Sequence, residues 1–132
     1  MLCKPVKMFH KLLLPFIVAV LFTCTLHAQS VDCSNAKTQL EMNLCAQKQF
    51  AAADKELNAL YKTLMGRLAP ELKTALTLSQ RKWVAFRDEE AKIYALLYEG
   101  GSMAPLAVYN SKTQSTQARI KQLKDLAEET DH

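Results

Sequence analysis

Histidine is almost missing from the part of this sequence that can fold. Of three histidines, His10 and His27 lie in an apolar N-terminal segment and His132 is the last residue. No imidazole is therefore placed to act as a general base or metal ligand. Glycine is equally scarce. Gly66, Gly100 and Gly101 are the only three, so there is no glycine-rich loop to cradle a phosphate. Cys3 and Cys24 fall in the N-terminal segment, leaving Cys33 and Cys45. Their spacing is wrong for a redox C-x-x-C pair, and no further Cys or His completes a zinc site. No alternating apolar and polar run suggests a strand, and no internal repeat or low-complexity segment is visible. No cofactor and no metal is expected, and an enzyme is disfavoured.

What is present begins with a leader. Lys4, Lys7 and Lys11 form a basic start, an apolar run follows from Leu12 to Phe22, and Leu26-His27-Ala28 offers small-residue processing. This is the layout of a secretory signal peptide over residues 1–28, with cleavage expected after Ala28. The run is short of the roughly 20 apolar residues of a membrane span, which argues against an uncleaved anchor. A lipoprotein anchored at Cys24 is the weaker alternative, because Thr23 is bulkier than the residue usual before a lipidated cysteine. The product expected is a single periplasmic or secreted domain over residues 29–132, with no membrane span after leader cleavage. Three of the 17 basic residues and none of the 13 acidic ones leave with the leader. That leaves 14 against 13 and a formal charge of +1 rather than +4. The basic balance belongs to targeting and gives no reason to expect nucleic acid. In an exported product Cys33 and Cys45 most simply form one structural disulfide, with a free or metal-binding thiol pair as the alternative.

The mature part reads as three helices. Thr38-Gln39-Leu40-Glu41 has capping-box form and opens a helix carrying Phe50, Ala53, Leu57, Leu60, Leu64 and Leu68 in steps of three and four. Gly66 weakens its end and Pro70 suits the first turn of the next helix, so the two are antiparallel neighbours. The second helix spans Leu72 to Leu97, with a stripe of Leu72, Leu76, Ser79, Trp83, Phe86, Glu90, Ile93 and Leu97. Gly100-Gly101 ends it, and Ser102 can cap a third helix that tolerates Pro105 in its first turn. Leu106, Tyr109, Thr113, Thr116, Ile120, Leu123 and Ala127 give the third and weakest stripe, and Glu128 to His132 should fray. The fold class is all-α: an up-down-up bundle of three helices with one N-terminal disulfide.

Polar residues beside the stripes form one candidate cluster. A turn centred near Ala69 puts Asp54 level with about Val84, within a turn of Trp83 and Arg87. Asn58 and Tyr61 continue down the same face of the first helix, and Gln80 edges the face of Trp83 and Arg87. Asp54 should pair with Arg87 or accept from the Trp83 indole. Such a cluster more often sets helix register than binds a ligand, and nothing nearby supplies a cavity. Glu89 and Glu90 could be read as an acid and base pair. Neighbouring helix residues point about 100° apart, however, so the two do not converge. The remaining candidate is the turn Tyr98-Glu99-Gly100-Gly101-Ser102, a loop at the bundle end where a partner could bind. A plain helix-ending turn is the competing reading of its glycines.

Taken together these residues resemble a known family. Cys33 with Ala36 and Thr38-Gln39-x-Glu41-Met42-Asn43-x-Cys45-Ala46 is similar to its opening motif. Asp54-x-x-Leu57-Asn58-x-x-Tyr61, Gln80-x-x-Trp83-x-x-x-Arg87-Asp88 and Gly100-Gly101-Ser102 follow in order. The pattern, from Cys33 to about Leu123, resembles the lysozyme inhibitor LprI N-terminal-like domain, a group of small exported bacterial proteins. The chain departs from it at a second cysteine pair common in the family. Ala91 occupies one position, and the other falls in Asn110-Ser111-Lys112. The third helix should accordingly be held less firmly. The resemblance implies a protein partner, a peptidoglycan-cleaving lysozyme in the periplasm, occluded by an exposed loop whose polar groups engage the catalytic carboxylates. In this chain that loop is the glycine turn flanked by Glu99. Near-neutral charge gives little steering toward a basic lysozyme, save from Asp88-Glu89-Glu90 and Glu128-Glu129-Asp131. The reading from another class is a non-catalytic periplasmic helical adaptor that binds an envelope protein.

Overall fold

The computed structural model describes residues 31–130. Residues 1–28, expected to form a signal peptide, and Asp131 and His132 lie outside them. Among the described residues there are three helices and no strand: α1 (Gln39–Arg67), α2 (Pro70–Leu97) and α3 (Ala104–Glu129). None of them is long and apolar enough to cross a membrane.

Local chemistry explains the boundaries. Thr38 caps α1 by accepting from the Glu41 amide at 3.2 Å, and the Glu41 carboxylate accepts from the Thr38 and Lys37 amides at 2.9 and 2.8 Å. Those amides are otherwise unpaired donors of the first turn. They hold the Glu41 carboxyl below the usual range, the Thr38 amide contributing most. The Cys33–Cys45 disulfide, 12 residues apart, staples the lead-in to the second turn of α1. Closing such a loop stabilises the fold by about 3 kcal/mol on a loop-entropy account. α1 ends because Pro70 disfavours helical backbone before it; Leu68 and Ala69 are both extended, and Pro70 opens α2.

α1 and α2 run antiparallel, and α3 returns parallel to α1, approaching the backbones of both. The core is a run of leucines, Leu57, Leu64, Leu68, Leu76 and Leu123, with Ile120; Trp83, Tyr61 and Met65 pack against it. The stripes read for α1 and α3 are the faces that turn inward, with Phe50, Leu60, Leu106, Tyr109 and Ala127 half-buried.

The stripe read for α2 needs correction. Leu72, Phe86, Ile93 and Leu97 are 48 to 70% exposed. The line that packs is Leu76, Gln80, Trp83, Arg87 and Ala91, of which Leu76, Arg87 and Ala91 are buried. A long charged residue inside the line and a small one at its end hid it from a hydropathy pattern. Beyond Ala91 no residue of α2 is buried. The α3 start also differs from expectation. Met103, not Ser102, occupies the cap position and provides no side-chain cap. Pro105 sits in the first turn as expected, and α3 remains helical through Glu129.

Candidate functional site

Arg87, itself buried, is the centre of a partly exposed polar cluster. Its Nη1 donates to Asp54 Oδ1 at 2.9 Å and its Nε to Asp88 Oδ1 at 3.1 Å. The guanidinium lies over the Phe50 ring at 5.1 Å and the Trp83 ring at 5.2 Å, within cation–π range. Asp88 also receives Lys112 at 3.2 Å, so the cluster ties all three helices. Burial raises the Asp88 pKa, but hydrogen bonds from Arg87 and Lys112 outweigh it and the net shift is downward. Asn58 donates to the other oxygen of Asp54 at 2.9 Å, and Tyr61 shares a hydrogen bond with Thr77 at 3.2 Å.

Gln80 is drawn into a second cluster, around Arg119 of α3. Arg119 Nε donates to Gln80 Oε1, Nη1 to Gln122 Oε1 and Nη2 to Ser79 Oγ, each at 3.0 Å. Its guanidinium also lies 5.9 Å from the Trp83 ring centre, making Trp83 the hinge between the two clusters. Burial lowers the Arg119 pKa. Residue patterning missed Arg119, because its α2 partners lie 39 and 40 residues away. Distance in sequence likewise hides the contacts of Thr77, Lys112 and Asn43 with Tyr61, Asp88 and Ser102.

The turn from Tyr98 to Ser102 lies at the end where α1 begins. Gly100 takes φ +75°, a conformation that favours glycine. A Cβ on Gly101 would stand 3.2 Å from the Tyr98 carbonyl oxygen, which itself accepts from the Gly101 amide at 2.9 Å. Asn43 of α1 donates to the Ser102 carbonyl at 3.0 Å. The turn is thus pinned from within and from α1. Around it Leu96, Leu97, Tyr98, Met103 and, from α1, Leu40 are 41 to 71% exposed. Glu99 makes no ion pair among the described residues. The other acidic run is engaged within the fold: Asp88 as above, Glu89 by Lys92 at 2.6 Å and Glu90 by the Ser115 hydroxyl at 2.9 Å.

Among the described residues no group of His, Cys, Asp or Glu could hold a metal ion. What these features define is a disulfide-pinned helical scaffold, cross-braced by arginines and presenting one stiff, apolar-rimmed turn. Residues 32–123 match the family described as lysozyme inhibitor LprI, and the chain belongs to that family. It is 29% identical to the uncharacterized protein R02472 of Rhizobium meliloti (strain 1021), over 87% of this chain and 95% of that protein. No solved structure matches.

Proposed function

We propose that the chain is exported by its N-terminal segment and that the product from Gln29 binds and occludes a peptidoglycan-cleaving lysozyme. Family membership supports the inhibitor class. The observation that carries the site assignment is the turn at Tyr98–Ser102, rigid in its backbone and ringed by exposed apolar side chains. A rigid protruding turn binds a concave partner with little ordering cost. Exposed aromatic and aliphatic groups around it supply the buried contacts that dominate interface energies. Glu99 is the carboxylate available to meet polar groups in the partner's cleft. Because Asp88 and Glu89 are ion-paired within the fold and the expected product is near neutral, attraction toward a basic lysozyme is weak, and association should depend little on salt.

The periplasmic adaptor reading draws on a separate observation. Phe86 and Ile93 extend the exposed apolar surface back along α2 from the turn. Inhibition assays of the purified product from Gln29 against several lysozymes separate the readings. Dose-dependent inhibition lost on replacing Glu99–Ser102 by a neutral turn supports occlusion. No inhibition at large molar excess rejects the inhibitor reading, and inhibition that survives the turn replacement rejects the site.

A further inference from the structure

A cavity of about 250 Å³ opens between α2 and α3 near the α1–α2 turn, far from the glycine turn. Leu76 and Leu123, both buried, line it together with Ala75, while Leu72, about half exposed, stands at its mouth. Arg119, Ser79 and Gln122 form a polar edge on this otherwise apolar lining. At roughly 30 Å³ per methylene, near the volume of a liquid water, the space suits a chain of about eight carbons.

Arg119 gives the cavity its chemistry. A guanidinium has five N–H donors in one plane. Three are engaged, one on each nitrogen, all by neutral oxygens of Ser79, Gln80 and Gln122. One N–H on each terminal nitrogen is left without a protein acceptor, so donors remain for an anionic group. Among the described residues Arg119 makes no ion pair, in contrast to Arg87, which has two. Its three neutral acceptors hold the fork in place without cancelling its charge. An apolar cavity bounded by a fixed, charge-uncompensated guanidinium is matched by a molecule with a hydrocarbon body and one anionic end.

We propose that this cavity binds a single-chain aliphatic carboxylate, with its hydrocarbon against Leu72, Leu76 and Leu123 and its head group on Arg119. The site is independent of the lysozyme reading and stands or falls separately. Trp83, the only tryptophan in the sequence, touches Arg119 and is a built-in reporter of head-group binding.

The test is titration of the purified protein with sodium decanoate, decan-1-ol and inorganic phosphate below micellar concentrations, followed by calorimetry and Trp83 fluorescence. Saturable one-to-one binding of decanoate is expected, with decanol and phosphate at least about tenfold weaker, as loss of a charge-assisted contact or of the apolar one implies. Arg119→Gln should lower decanoate affinity to that of decanol, and Ala75→Phe, which fills the cavity, should abolish it. Circular dichroism checks that both variants fold; if Arg119→Gln does not, Ala75→Phe decides alone. Equal binding of decanol, equal binding of phosphate, no saturable binding, or an undiminished Ala75→Phe variant would each overturn the proposal.

Discussion

Replacing Arg87 tests whether the bundle is cross-braced by one guanidinium. Its side chain is 9% exposed, whereas those of Asp54 and Asp88 are 36% and 42% exposed. Truncation to Ala removes two ring contacts, two charge-assisted hydrogen bonds and the packing of the stem. The carboxylates left behind can rehydrate, so the cost is set chiefly by what Arg87 itself loses, about 3 kcal/mol. Asp54→Asn should cost much less, about 1 kcal/mol, because Asp54 is partly solvated and Asp88 still compensates the buried charge. Arg87→Lys should recover under half of the Ala loss, since an ammonium cannot stack flat between Phe50 and Trp83 while reaching both carboxylates. Urea unfolding of the three variants, with the Asp54→Asn/Arg87→Ala double mutant to close a cycle, measures each term. A coupling energy of about 1 kcal/mol is expected between the partners. The reasoning is refuted if Asp54→Asn costs as much as Arg87→Ala, or if Arg87→Lys restores full stability.

Thr116 is fully buried, and its hydroxyl has no partner among the described residues. Thr116→Val, nearly isosteric, should raise stability by about 1 kcal/mol, and a lower urea midpoint would show that the hydroxyl is satisfied after all. Ala91 and Ser111 are both buried, and the Asp88–Lys112 and Glu90–Ser115 contacts bracket them across α2 and α3. The Ala91→Cys/Ser111→Cys pair should oxidise to a second disulfide and add about 3 kcal/mol; thiol titration that still finds two free cysteines would exclude it. Glu41 and Asp88 both have lowered pKa values in the folded chain. Their stabilisation is present above the ordinary carboxylate range and is lost as pH falls through the lowered folded values. The melting temperature should therefore decline below about pH 4, and Glu41→Gln should make that decline shallower.

Much of this architecture is legible because its determinants are local. Thr38 and Glu41 are three residues apart and announce α1. Leu68-Ala69-Pro70 is a turn whose shortness makes α1 and α2 antiparallel, although their backbones pack chiefly through α3. Counting outward from that turn brings Asp54 within a turn of both Arg87 and Trp83, and of the two it is Arg87 that it takes. The face of α2 is harder to read because hydropathy and burial part company there. Arg87 is buried among partners supplied from α1 and α2, while Phe86 and Ile93 are apolar and face solvent. Arg119 escapes for a related reason, since every α2 group that fixes it is remote in sequence. Ser102 looks like a cap by residue type, yet its carbonyl is held by Asn43 and the chain enters α3 one residue later.

The Asn43–Ser102 hydrogen bond also fixes a polarity of attachment. It places the start of α1, with its disulfide-held lead-in, beside the apolar-rimmed turn. α3 runs parallel to α1, so its carboxyl end, at Glu129, lies at the opposite end of the bundle. A bulky fusion or surface tether at the amino end would therefore crowd the turn, whereas one at the carboxyl end would hold it outward. Binding measured with the two orientations of immobilisation should differ accordingly, and the carboxyl-tethered form is the one that presents the turn freely to a large partner.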